Sequence, residues 1–151
     1  MATLTASSDV SAPVEQVFEV YTDLAKAVER IPAIVDLELL SEGPFGEGTR
    51  WRETRVMFKK KATEEMWVTG FDPPGSYTVD SESHGMRYSS LFSFTPEGGG
   101  TRVTWAFSGT ALTLGTKIMS PILNLLMKGM MKKCMQEDLE ALRDACERGE
   151  G

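Results

Sequence analysis

From Ile118 to Glu147 the chain reads as one long helix whose two halves carry very different amounts of apolar surface. The first half holds Met119, Ile122, Leu123, Leu125, Leu126, Met127, Met130, Met131, Cys134 and Met135. The second, Gln136 to Glu147, keeps only Leu139, Ala141, Leu142, Ala145 and Cys146 among charged residues. Projected at about 100° per residue, the apolar arc is roughly 240° wide in the first half and roughly 160° in the second. Packing on one side needs only the narrower arc. The fold must therefore give the first half a second apolar environment: a cavity, a ligand, a partner or a membrane. Methionine suits an irregular contact of that kind, because its unbranched thioether adapts its shape.

A chain of 151 residues fits one domain, 1–151, with a core of its own. With 41% hydrophobic and 25% charged residues, disorder is not the default state. The net charge of −6 argues against a nucleic-acid partner held through phosphate neutralisation. Lys59-Lys60-Lys61 is short enough to be a solvated hairpin tip. Met1 to Thr5 lacks the basic start and apolar run of a secretory signal, and Ile118 to Met135 is too short and too rich in lysine to span a bilayer. The expectation is a cytoplasmic protein without an integral membrane segment. Cys134 and Cys146 lie twelve residues apart on the expected helix, about 18 Å between Cα atoms, beyond disulfide reach. His84 is the single histidine, so no Cys/His zinc spacing exists, and neither a metal nor a cofactor is expected.

Thr3 to Val10 alternates as a first strand. Pro13 then opens a short helix with Val14, Val17, Phe18 and Tyr21 at helical spacing, and Asp23 stands where it would cap a second, Leu24 to Arg30, ended by Pro32. From Ile34 the period becomes two. Strands are expected at Ile34–Ser41, Thr49–Phe58, Ala62–Phe71, Ser76–Ser83, Met86–Thr95 and Thr101–Thr113, separated by the 43–48 turn, the lysine tip, Asp72-Pro73-Pro74-Gly75, His84-Gly85 and the glycines 98–100. Ser120-Pro121 is a point where the final helix would restart and change phase.

Meandering antiparallel strands bury one face. Here one face collects Tyr77, Val79, Met86, Tyr88, Ser90, Phe92, Phe94, Val103, Trp105 and Phe107. That set is richer in aromatics with polar tips than a Val/Ile/Leu core, and two readings stay open: a plain core, or a concave face lined for a ligand.

The order β-αα-β6-α resembles the α+β helix-grip fold of the START-like (SRPBCC, Bet v 1-like) superfamily, in which a curved antiparallel sheet of about seven strands wraps a long C-terminal helix. The resemblance is carried by Ser11-Ala12-Pro13-Val14-Glu15-Gln16-Val17-Phe18 with Thr22-Asp23, by Glu47-Gly48-Thr49-Arg50-Trp51-Arg52-Glu53, by Asp72-Pro73-Pro74 and by Gly100-Thr101-Arg102-Val103-Thr104-Trp105. These motifs look like the polyketide cyclase/dehydrase-like branch. The resemblance implies a deep apolar cavity and a hydrophobic small-molecule partner.

For such a ligand the expected lining is Met57, Trp67, Tyr77, Tyr88, Phe92, Trp105, Leu123, Met127 and Met131. The candidate acid–base groups are Glu53, Arg55 and Tyr88. Glu53 and Arg55 share a strand face with Trp51 and Met57, and form either a buried cavity pair or a solvated pair on the outer face. No Gly-x-Ser-x-Gly elbow or phosphate loop is present. Function thus divides three ways: a carrier or sensor of a lipid-, polyketide- or isoprenoid-like molecule, a cyclase or dehydratase, or a dimeric interaction module. On the helix, Leu139, Leu142, Ala145 and Cys146 fix a core-facing side that carries back through Met135, Cys134, Met131, Met127 and Leu123. Ile122, Leu125, Leu126 and Met130 form another face, to be covered by local elements, by a second copy, or by transient membrane contact.

Overall fold

The structure is a computed structural model that describes residues 3–57, 59–83, 85–112 and 114–149; the side chains of Met57, Ala111 and 114–128 lie outside the description. The elements run β1 (Thr3–Val10), α1 (Val14–Thr22), a 3₁₀ turn (Leu24–Lys26), α2 (Ala27–Arg30), β2 (Ile34–Leu39), β3 (Arg50–Met57), β4 (Lys60–Asp72), β5 (Ser76–Ser83), β6 (Met86–Glu97), β7 (Gly100–Ala111) and α3 (Leu114–Glu147). The seven strands form one antiparallel sheet in the order β1-β7-β6-β5-β4-β3-β2. Five pairings join consecutive strands, four of them across short turns and β2–β3 across the 40–49 loop, and β1 closes the order by pairing with β7. The result is the α+β helix-grip architecture.

Register sorts the side chains. Trp51, Glu53 and Arg55 of β3 oppose Met66, Glu64 and Ala62 of β4. Across the sheet, Met66, Ser81, Tyr88 and Gly109 fall in one row, and Val79, Ser90 and Phe107 in the next. A bulge between Val68 and Gly70 breaks the β4–β5 ladder there. On this concave face α1 sets Val17, Phe18, Val20 and Tyr21. The Phe18 ring meets Tyr77 edge-on at 5.9 Å and Phe94 at 5.4 Å. Phe45, from the loop before β3, meets Tyr77 at 5.3 Å and closes the same end.

The C-terminal half of α3 supplies the other layer. Met135, Leu139, Leu142, Ala145 and Cys146 are buried, at the spacing the narrower apolar arc requires, and the helix packs chiefly on β1. Gln136 donates to the Ser7 carbonyl at 3.2 Å, and Gln16 to the Cys146 carbonyl at 3.0 Å, which ties both helices to each other and to the sheet edge. Gly100-Thr101 has a local reason. A Cβ at Gly100 would stand 2.5 Å from the Val10 carbonyl oxygen, and the buried Thr101 hydroxyl donates to the Ala12 carbonyl at 2.8 Å.

Several sequence expectations move. Lys60 and Lys61 pair with Met57 and Val56 inside the ladder, and Lys59 alone of the three stands in the turn, with φ of 67°. The Asp23 side chain caps nothing: the backbone makes a 3₁₀ turn before α2, and Asp23 lies 3.8 Å from Arg30 instead. α3 starts at Leu114 and continues through Pro121 without a restart, since a missing N–H removes one rung rather than the whole helix. The expected turn at His84 lies outside the described residues. Among the described residues no helix is long and apolar enough to cross a membrane.

Candidate functional site

The concave face divides into a sealed end and a partly open one. At the sealed end α1 and Phe45 cover Trp51, Tyr77 and Phe94, all buried. Beyond it Tyr88, Ser90, Phe92, Trp105 and Phe107 remain only partly buried. Their rings form a ladder: Tyr77 stacks on Phe92 at 5.0 Å, Phe92 leans on Trp105 at 4.9 Å, and Tyr88 stacks on Phe107 at 5.5 Å. Gly109 opposes Tyr88, and its missing side chain leaves room for the Tyr88 ring and the Met86 methyl, each 3.3 Å from where a Cβ would sit.

Polar atoms are set into this apolar surface without protein partners. Among the described residues the Tyr21 hydroxyl, the Trp105 Nε1 and the Ser8 hydroxyl are buried and unbonded. Such groups are rare in a well-packed interior, where each costs about 1–3 kcal/mol. Burial raises the Tyr21 pKa well above its ordinary value, with Tyr77, Cys146 and Asp138 adding to the shift. Burial likewise raises Tyr77, with Glu53 contributing, and Tyr88, with Glu64 contributing. These phenols stay protonated near neutral pH.

A charged chain crosses from sheet to helix. Trp51 Nε1 donates to Glu53 Oε1 at 3.0 Å, Arg55 Nε to Glu53 Oε2 at 3.2 Å, and Arg55 Nη1 to Asp138 Oδ2 at 2.7 Å. Glu53 and Asp138 are buried, each at 6% exposure, which overturns a solvated outer-face pair. Burial raises the Asp138 pKa above the usual carboxylate value while Arg55 pulls it down. Burial works against the charge on Arg55, but Asp138 and Glu53 outweigh it and its pKa rises. The Arg55–Asp138 pair lies at a cleft of about 320 Å³ between β3 and α3, lined also by Ala33, Val56, Met130, Lys133, Cys134 and Glu137.

The structure gathers Tyr77, Tyr88, Phe92 and Trp105 on the concave face with Glu53 and Arg55. Met131 is partly buried one turn before Met135. Trp67 is a correction: it pairs with Asp80 on the opposite, convex face, where the guanidinium carbons of Arg50 and Arg87 lie 4.8 and 5.5 Å from its ring. The period-two pattern puts Met66 and Val68 inside, so Trp67 between them must point out. The side chains of Met57, Leu123 and Met127 lie outside the described residues, as do those of Ile122, Leu125 and Leu126. Met130 is 46% exposed, at the cleft it shares with Ala33 and Val56.

Asp138 and Tyr21 were absent from the expected site. The signal for Asp138 was available: it falls on the core-facing stripe with Met135, Leu139 and Leu142, where a carboxylate needs a buried partner. Among the described residues no group of three or more His, Cys, Asp or Glu side chains could hold a metal ion.

A curved sheet gripping a long helix, with a partly open aromatic concavity, defines a protein of the START-like, Bet v 1-like class. Residues 1–147 match the family described as polyketide cyclase / dehydrase and lipid transport, and the chain belongs to it. Among solved structures it is similar to TTHA0849 from Thermus thermophilus, with 22% identity, 99% of this chain and 100% of that one covered, and a TM-score of 0.81. It is also similar to the Zhui aromatase/cyclase from Streptomyces sp. R1128, with 15% identity, 97% and 94% covered, and a TM-score of 0.81. The di-domain ARO/CYC BexL from the BE-7585A biosynthetic pathway aligns at 15% identity over 97% of this chain and 50% of its own, with a TM-score of 0.79. No curated protein sequence matches. The family supports hydrophobic ligand binding or cyclase activity.

Proposed function

We propose that the chain binds a lipid-, polyketide- or isoprenoid-like molecule between the concave sheet and α3, as a carrier or sensor. One observation carries this reading. The partly open aromatic ladder holds Trp105 Nε1, and Tyr21 OH lies against its Phe92 end; both are buried polar atoms that no described protein group satisfies, as is Ser8 Oγ beside Val103. A core built only for stability would bury those rings fully and pair those atoms. A ligand with an apolar skeleton and a few oxygens answers both features, since apolar burial supplies affinity and sparse polar contacts set orientation.

Native mass spectrometry of freshly purified protein is expected to show a non-covalent hydrophobic passenger. Trp105→Phe keeps one aromatic ring and removes the N–H with the rest of the indole, and should weaken binding of that passenger roughly tenfold. Protein that stays empty after exposure to a total lipid extract, and runs as a tight dimer, would contradict the proposal.

A second reading, a cyclase or dehydratase, is favoured by the buried Asp138 whose pKa is raised beside Arg55 at an open cleft, a condition for a general acid. Both Glu53 oxygens are already engaged, by Trp51 and by Arg55, which suits a positioning group better than a free base. For a substrate that is turned over, Asp138→Asn and Glu53→Gln should abolish turnover while passenger binding persists; undiminished rates would remove both residues from any chemistry.

A further inference from the structure

We propose that the end of the molecule formed by the β3–β4 tip and the middle of α3 docks on an anionic phospholipid bilayer. The first observation is charge segregation. In a chain of net charge −6, seven of the eight lysines are Lys59, Lys60, Lys61, Lys117, Lys128, Lys132 and Lys133. No acidic residue occurs between Glu53 and Glu64, nor between Glu97 and Glu137. The two acid-free stretches are far apart in sequence, and the fold joins them: Val56 of β3 lines one cleft with Met130, Lys133 and Cys134 of α3.

The second observation is the apolar surface at that junction. Val56 is 37% exposed and Met130 46% exposed, beside Ala33 on the same cleft. Lys59, Lys60, Lys61, Lys132 and Lys133 are exposed or lie at the cleft around them. The acidic residues lining it are Glu137 and Asp138, and Asp138 is already paired with Arg55. Exposed apolar side chains where lysines outnumber the one exposed carboxylate, Glu137, match the headgroup region of an anionic leaflet, which takes up apolar groups and attracts lysine together. A second copy of the chain would bring these lysines against their own kind, which opposes self-association at this face. Docking there sets the cleft between β3 and α3 against the lipid phase. The inference stands on surface charge and exposure, independently of which ligand occupies the concavity.

Co-sedimentation with phosphatidylcholine vesicles, with and without phosphatidylserine, tests it. Binding is expected only to the phosphatidylserine vesicles and is lost at high salt. Lys59→Gln, Lys60→Gln and Lys61→Gln combined should weaken it roughly 100-fold, about fivefold for each lysine. Val56→Ser with Met130→Ser should weaken it roughly tenfold at unchanged salt dependence. Circular dichroism and thermal melts confirm that the variants fold. Absent binding, equal binding to neutral vesicles, or full binding by the lysine variant overturns the proposal, as does a solution dimer that buries Val56 and Met130. Passenger mass is read separately, so failure here is distinguishable from failure of ligand binding.

Discussion

Replacing Arg55 with leucine is expected to cost about 3–5 kcal/mol of stability near neutral pH, because it leaves two buried carboxylates without their shared cation. Arg55 bonds Glu53 at 3.2 Å and Asp138 at 2.7 Å, and Trp51 reaches only Glu53. The loss should depend on pH, and its sign is fixed by Asp138. Its folded pKa is already raised by burial, with Arg55 the opposing influence; without Arg55 it rises further. A group whose folded pKa lies above its unfolded value contributes stability below the unfolded value, and that contribution is lost as pH rises through the folded one. The deficit of Arg55→Leu against the parent is therefore largest near neutral pH and shrinks as pH falls toward the ordinary aspartate value of 3.8. Urea unfolding of both proteins across that range measures it. A deficit that is constant with pH, or below about 1 kcal/mol throughout, would mean that the pair is solvated. Arg55→Lys keeps the charge but loses the two-pronged reach, and should recover only part of the difference.

The second large effect is expected at Leu139, which is fully buried on the stripe that seats α3. Leu139→Ala removes apolar contacts and leaves a cavity between helix and sheet, at a cost of about 2–5 kcal/mol. Met130→Ala, two turns or so earlier and 46% exposed, should stay within about 0.5 kcal/mol. The contrast separates the half of the helix that holds the fold from the half that does not. Equal costs at the two positions would show that Met130 is buried in solution and would place a partner on its face.

The order of elements was legible because its signals are local. Period-two alternation from Ile34 to Leu112, a proline-led short helix and a long amphipathic run each depend on neighbours a few residues away. The concave assignment of Tyr77, Tyr88, Phe92 and Trp105 came from the same alternation. Trp67, expected in the ligand lining, went against that logic, since Met66 and Val68 on either side claim the inner face. The lysines were read as one small cluster for a related reason. Sequence shows Lys59-Lys60-Lys61 as a tip, but only the fold sets Val56, the ladder partner of Lys61, on one cleft with Lys133 of α3.

Sequence alone determined the helix-grip order, the identity of the gripping stripe at Leu139, Leu142, Ala145 and Cys146, and the aromatic character of the concave face. Tertiary structure decided which polar groups meet there. Arg55 and Asp138 are 83 residues apart, and nothing local ties a strand cation to a helix carboxylate until the sheet curves under α3. It also decided which polar atoms go unpaired: Tyr21, Trp105 and Ser8 come from three different elements, and whether each finds a partner depends on how those elements pack. Periodicity is a property of the chain, whereas burial and pairing at long range are properties of the packed molecule.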